Sequence, residues 1–468
     1  MGLYIQISSI SFPFKNFVNF IINLLSIKMR KTLAILLTCL ITVAVSGQNF
    51  DREKLDRYFE TLASKNKMMG SITMSKDGQV IYEKAFGFAD IDQPMALSSD
   101  SRFRVGSITK MFTAALILKA VEEGKIQLDQ KIDTFFPEIE NSELITISQL
   151  MNHRSGVHSF TSNPDYLTWH TMPKSRKSLY NIILEGGSDF EPDSKADYSN
   201  SNYVLLTWIL EDIYREEYTN ILSRHITVPL KLKNTYLGKK TNPSDKEAFS
   251  YMFSGEWIKE ADTDMSIPLG AGAIVSTTGD LTRFIEGLFA GKIISLGSLE
   301  LMKEMKDNFG RGMFRIPFHD KSSYGHTGGI DEFKSMLSYF PDEKFSLAMS
   351  TNASVIDPNQ AAIAAMSAYF GKDYEIPEFK NISLTPEELN QYLGVYSSPG
   401  FPLKITITQE NNSLVGQATG QSSFPLDAEG DHVFSFSRAG LTLKFNPEND
   451  EMTLKQGPGE FVLKKEKE

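Results

Sequence analysis

An α+β unit followed by a separate all-β unit is what this chain's residue pattern predicts, and three observations predict it. Two apolar runs, residues 70–74 and 80–86, flank Lys76-Asp77-Gly78, the pattern of a hairpin. Helical patterns dominate from residue 107 to 228, with loops around Pro137, Pro164 and Pro192. After about residue 386 the chain changes to short β-type runs separated by polar turns, which predicts a small antiparallel meander or barrel.

Each element has its own reason. Residues 51–64 read as an amphipathic helix with Leu55, Tyr58, Phe59 and Leu62 on one face. A helix opening at Ser107 carries Met111, Phe112, Ala115, Leu116 and Leu118, so it is expected to be buried. Thr277 and Asp280 form a capping-box-like start for a helix through Phe289. Strands at 333–340 and 345–350, joined at Pro341-Asp342-Glu343, precede a helix at 360–370. Residues 372–385, Pro- and Glu-containing, read as a linker. Six β-type runs follow, at 403–409, 413–420, 432–437, 441–445, 452–455 and 461–465.

Chemistry concentrates in three places. Ser107 and Lys110 stand one helical turn apart, so their side chains can meet. A serine hydroxyl needs a base to become a nucleophile, and a lysine shielded from water can lose its proton and serve as one. A second pair, Ser64 and Lys67, sits in a charged run and reads as a solvated helix end. Tyr198-Ser199-Asn200 and His326-Thr327-Gly328-Gly329 follow Ser107 in order. A second Tyr-x-Asn triplet, Tyr218-Thr219-Asn220, lies among charged residues and reads as exposed helix. The glycines after His326 would let a substrate backbone approach closely. His153 and His158 flank Gly156 without a carboxylate at ligand spacing, so they are expected to anchor a loop. Gly270-Ala271-Gly272 lacks the third glycine of a dinucleotide fingerprint and is expected to pack closely beneath the site.

Ser-x-x-Lys, then Tyr-x-Asn, then a basic residue with Thr-Gly, in that order, resembles the serine β-lactamase and penicillin-binding-protein family. The branch it resembles holds class C β-lactamases, D,D-carboxypeptidases, D-aminopeptidases and esterases. Phe103-Arg104-Val105-Gly106, Leu150-Met151-Asn152-His153-Arg154-Ser155-Gly156 and Ser276-Thr277-Thr278-Gly279-Asp280-Leu281 fit its flanking segments, and the resemblance spans about residues 52–370. It implies an antiparallel sheet flanked by helices, with an all-helical insertion and the site between sheet and helical lobe. It implies Ser107 as nucleophile, with Lys110 and Tyr198 taking and relaying its proton. Asn200, His326, Thr327, Gly328 and Gly329 would bind substrate, Asn200 through an amide. The backbone N–H groups of Ser107 and Gly329 would hold the oxyanion. No cofactor or metal is implied. Two departures stand out. His326 replaces the usual lysine, and a mostly neutral residue there favours peptidase or esterase action over β-lactam hydrolysis. The segment 191–197 before Tyr198 is more charged than usual, which predicts an unusual rim. Tyr392-Leu393-Gly394-Val395-Tyr396 resembles the opening of lipocalin-like domains that follow such hydrolases.

Composition bounds the rest. At 468 residues, 41% hydrophobic and 23% charged, the chain has room for two or three compact units. Lys28, Arg30 and Lys31 precede an apolar run at 33–45 ending in small residues, the build of a secretory signal peptide with cleavage expected before Gln48 or Gly47. Residues 1–28 are unusual for a signal, and Met29 makes a better start. Cys39, the one cysteine, lies in the signal core, so the mature chain carries no disulfide. Removing residues 1–47 shifts net charge from −10 to −14, which disfavours nucleic acid and anionic lipid as partners. The organisation expected is a signal at 1–47, a hydrolase domain at 48–371, a linker at 372–385 and a barrel at 386–468. The protein would act in the periplasm or outside the cell on a small molecule or peptide.

Overall fold

The structure, a computed structural model, describes residues 50–253, 256–379, 384–410, 413–430, 432–436 and 439–467. The expected signal and Cys39 lie outside the described residues. Helix α1 (Arg52–Ser64) buries Leu55, Tyr58, Phe59 and Leu62, the face its pattern marked. Strands β1 (Met68–Lys76) and β2 (Gln79–Phe86) pair antiparallel across Asp77 and Gly78, whose φ angles are 51° and 77°. Asp-Gly is suited to that left-handed two-residue turn.

The elements that carry the site follow in order: β3 (Phe103–Arg104), α2 (Thr109–Glu122), α3 (Ile147–Met151), α4 (Arg176–Gly186), α5 (Asn200–Tyr214), β4 (Ile274–Ser276) and α6 (Thr278–Phe289). Then come β5 (Phe314–Phe318), β6 (Lys321–Ile330), β7 (Phe333–Phe340), β8 (Phe345–Ser354) and α7 (Pro358–Phe370). The strands join in the order β5-β6-β7-β8-β1-β2, every neighbouring pair antiparallel, so β1 pairs with a strand almost 300 residues away. Helix α6 lies across β1, β7 and β8. It starts where the sequence indicated: the Thr277 hydroxyl accepts from the Asp280 N–H.

Helix α2 is apolar on nearly every side, which marks an interior helix. Met111, Phe112, Leu116, Ile117 and Leu118 are fully buried, and Phe112 stacks on Phe284 of α6 at 3.6 Å. Each such side chain contributes roughly 1.5–3 kcal/mol on burial. That apolar packing offsets the cost of holding one lysine, Lys110, inside the same helix.

The C-terminal unit is a closed antiparallel barrel of eight strands, the first Gly394–Ser398 and the last Gly459–Lys465. Leu414, Leu443, Met452 and Leu463 fill its core. The six expected runs are strands, and Gly394–Ser398 and Ser423–Gly430 add two. The latter contains Pro425, Asp427 and Gly430, which read as breakers in isolation. The strands just before and after it in the chain, Ser413–Ala418 and Val433–Phe436, pair along its two edges and hold it extended.

Candidate active site

The site begins at an elbow. Strand β3 is held by β4, with Arg104 opposite Val275, and the Val105 N–H donates to the Ile274 carbonyl at 3.0 Å. Val105 then turns at φ −94°, ψ 0°, and Gly106 enters the left-handed region at φ 53°. A Cβ on Gly106 would lie 2.7 Å from the Gly329 nitrogen, so both backbone angle and space require glycine here. The α-helix opens at Thr109 rather than at Ser107, which sits in a 3-10 turn, Gly106–Ile108. The tighter turn brings residues three apart into line, as Ser107 and Lys110 need to be.

Lys110 is completely buried, and its Nζ makes three polar contacts: Ser107 Oγ at 3.0 Å, Asn200 Oδ1 at 2.8 Å and the Ala271 carbonyl at 2.7 Å. Among the described residues it has no ion pair, and burial pushes its pKa well below the usual lysine value. A neutral amine has two N–H bonds and one lone pair. The amide oxygen and the carbonyl can only accept, so they take the two N–H bonds, and the lone pair is left for the Ser107 hydroxyl. The rings of Tyr198 and Tyr203 lie 4.8 and 5.5 Å from Nζ. Gly270 packs without a Cβ against Thr113 and Thr207, which lets the Ala271 carbonyl reach the lysine.

Tyr198 and Asn200 enter at the start of α5. Burial raises the Tyr198 phenol above its ordinary pKa, while its hydrogen bond with Ser107 draws it slightly back. The phenol therefore remains protonated at neutral pH. His153 stacks on Tyr198 at 4.4 Å, and its Nδ1 accepts from the Ser199 N–H at 3.1 Å. This is the loop anchor expected of His153. Its own turn is set by α3, whose Thr146 and Gln149 form a reciprocal capping box. His158 does have a carboxylate beside it in space, Asp189 at 2.9 Å, which spacing along the chain could not show. The Asn200 amide is already partly occupied: Oδ1 accepts from Lys110, and Nδ2 donates to Thr161 Oγ1 at 2.8 Å, leaving one N–H for a ligand.

Strand β5 covers β6 only as far as Gly325, so from His326 onward the outer edge of β6 faces the elbow. Gly328 lies against the Val105 carbonyl, to which the Ser335 hydroxyl donates at 2.7 Å. His326 is buried, packs on Phe314 at 4.7 Å and is held down to a pKa of about 3 by desolvation and by Lys110. Its Nδ1 faces the Thr327 carbonyl, an acceptor only, so Nδ1 carries the proton and Nε2 is an acceptor. Thr327 and Gly329 are exposed at a cavity of about 390 Å³ that continues past Glu332, Lys334 and Asp357. Phe309 joins His153, Tyr198 and Phe314 in an aromatic wall.

The structure thus brings Ser107, Lys110, Tyr198, Asn200, His326 and the glycines of β6 together. Thr161, the Ala271 carbonyl, Phe309 and Phe314 were missed, because each is joined to the site only through space. The charged approach to Tyr198 is tied down: Asp193 bonds Arg154 at 2.5 Å and Lys306 at 2.8 Å. One expectation fails. Tyr218 is not exposed but buried, its hydroxyl 2.7 Å from Thr113 Oγ1, with Ile221 and Leu222 buried beside it. Only Thr219 and Asn220 face water.

The family model described as Beta-lactamase matches residues 55–368. Penicillin-binding protein 4* of Bacillus subtilis (strain 168) is 25% identical over 429 residues, covering 84% of this chain and 93% of that protein. The D-amino acid amidase of Ochrobactrum anthropi SV3, solved with L-phenylalanine, aligns with TM-score 0.60 at 25% identity, covering 68% of this chain and 98% of its own. The octameric penicillin-binding protein homologue of Pyrococcus abyssi aligns with TM-score 0.61 at 21% identity over 88% of this chain and 100% of its own, a likeness of fold.

Proposed function

This chain belongs to the beta-lactamase family, and we propose that within it the chain is an exported serine hydrolase that cleaves amide or ester bonds through an acyl-enzyme. The observation that carries this reading is the three-way setting of Lys110, with two acceptors and one hydroxyl around a buried amine. As Ser107 Oγ bonds to the substrate carbonyl carbon, the Lys110 lone pair takes its proton. The carbonyl oxygen becomes an oxyanion facing the N–H groups of Ser107 and Gly329, donors of a kind worth roughly 3–4 kcal/mol each. Tyr198, protonated, passes a proton to the leaving amine or alcohol as the C–N or C–O bond breaks, and Lys110 returns one to Tyr198. Water then adds to the ester by the same route reversed, releasing the acid and restoring Ser107. Asn200 offers its remaining N–H to the substrate, and Thr327 and Gly328 line its path along the edge of β6.

The substrate class follows from His326. A buried neutral acceptor gives no positive charge for a carboxylate, which favours amides and esters, and the amidase similarity points to D-amino acid derivatives. One observation favours a second reading, a D,D-carboxypeptidase or β-lactamase: Lys334, directly across from Gly329, brings a cation to the adjoining cavity. His326→Lys separates them, since under the first reading it raises affinity for carboxylate-bearing substrates and β-lactams. In either case residues 1–47 direct export, 48–371 form the hydrolase, 372–385 link, and 386–468 form the barrel. The deciding experiment is intact-mass spectrometry of residues 48–468 after a fluorophosphonate, with peptide mapping. A single adduct on Ser107 supports the hydrolase. No adduct in a folded sample points to a binding protein or to a site closed by the C-terminal domain, which repeating the labelling without residues 386–468 separates. Stoichiometric acylation by substrate without release means a sensor.

A further inference from the structure

The two oxyanion donors belong to separate segments, the elbow and the far end of β6, and something must fix the distance between them. Three residues before Ser107 stands Arg104, its side chain 3% exposed. Two residues after Gly329 stands Asp331, its side chain 1% exposed. Arg104 Nη1 donates to Asp331 Oδ2 at 3.1 Å and to the Thr263 carbonyl at 2.8 Å, while Nη2 reaches the Lys239 carbonyl at 3.1 Å and Asp262 Oδ2 at 3.0 Å. Asp331 Oδ1 accepts from the Thr263 N–H at 3.0 Å and its hydroxyl at 2.6 Å. Asp331 also holds a left-handed backbone, φ 51°, in the turn between β6 and β7.

We infer that the buried Arg104–Asp331 pair is a positioning clamp that sets the Ser107 and Gly329 N–H groups at the spacing an oxyanion needs. This rests on the hydrolase reading above. A buried ion pair adds little net stability over a well-packed apolar pair, so stability alone gives weak reason for one at this spot. Its placement gives a better one. It brackets both donors within three residues, next to the bare contact of Gly106 with Gly329. Among the described residues neither side chain hydrogen-bonds Ser107 or Lys110, so the clamp acts through backbone position. Arg suits this because its planar fork reaches two carboxylates and two carbonyls at once, which a lysine ammonium cannot copy.

The test compares Arg104→Lys and Asp331→Asn with Leu288→Ala, a core truncation in α6 chosen to lower the melting temperature without touching the elbow. In the clamp variants kcat and the rate of Ser107 phosphonylation fall together by roughly 10- to 100-fold, with KM within threefold, because a displaced donor is lost mainly from the transition state. Leu288→Ala keeps kcat within threefold. Folded clamp variants with unchanged kcat would overturn the clamp, as would an equal loss in Leu288→Ala. If neither clamp variant folds, Thr263→Val, which removes one hydrogen bond to Asp331, must lower kcat with KM unchanged, and an unchanged kcat overturns the proposal. A wild-type protein whose Ser107 never labels overturns the hydrolase reading and the clamp with it. A labelled wild type with unaffected variants overturns the clamp alone.

Discussion

The chain contains two Ser-x-x-Lys pairs, and the fold treats them in opposite ways. Ser64 ends a surface helix, exposed, its hydroxyl turned back to the Thr61 carbonyl at 3.3 Å. Lys67, past a left-handed Asn66, reaches the barrel and pairs with Asp427 at 2.9 Å. Ser107 and Lys110 have the same spacing but lie at the start of a helix buried all round, where the lysine meets carbonyl oxygens and, among the described residues, no carboxylate. Spacing lets two side chains meet. Desolvation without a counter-charge is what pushes the pKa of the second lysine down, as a base in this position would need.

The comparison breaks most readily at the two serines. Ser107→Ala should lower kcat/KM on a D-amino acid amide or ester by at least roughly 10³-fold, since removal of a nucleophile in comparable hydrolases costs more than that. Ser64→Ala should leave it unchanged. Activity surviving in Ser107→Ala would dissolve the contrast altogether. The lysines sharpen it through pH. Only the neutral form of Lys110 can take the serine proton, so kcat/KM should rise with pH as Lys110 deprotonates, well below the ordinary lysine range. Lys110→Met should remove most turnover and that acidic limb, read from a pH–rate profile.

Much of this contrast was legible in the sequence. The apolar run after Lys110 told it apart from Lys67 among charges, and the face of α1 and the Asp77-Gly78 turn follow from local spacing. What was not legible is held by pairs far apart in the chain. Thr161 meets Asn200, Ala271 meets Lys110, and Asp331 meets Arg104 only because the sheet closes β6 against the elbow. Tyr218 shows the matching error. The charges before it suggested water, but Ile221 and Leu222, three and four residues on, place it on an apolar face.

Burial that lowers the pKa of Lys110 also lowers that of its neighbour, and this gives a stability effect of middle size. His326 titrates at about 3 when folded and about 6.5 when unfolded. Between these values the unfolded chain binds the extra proton, so His326 contributes nothing above pH 6.5 and destabilises progressively as pH falls toward 3. The loss is of order 2 kcal/mol by about pH 5. His153, also held low by burial, acts in the same direction. His326→Leu should flatten the decline of melting temperature between pH 6.5 and 4. An unchanged slope would place the acid lability elsewhere.

The smallest effect belongs to the other lysine. The Lys67–Asp427 pair joins the β-lactamase-family unit to the barrel with side chains 16% and 35% exposed. Water screens such a pair, and its worth is roughly 0–1 kcal/mol. Val355 and Met252 on one side and Val415 and Phe424 on the other face each other around a cavity of about 120 Å³, so apolar surface also meets there. Lys67→Met should therefore move the melting temperature by no more than about 2–4 °C, the shift that 1 kcal/mol produces in a domain of 150–250 residues, and leave kcat and the pH–rate profile where they were. A drop in kcat with unchanged melting temperature would carry a different lesson. The barrel's seat on the catalytic unit would then reach the nucleophile, and the lysine read as inert would be positioning the site from outside.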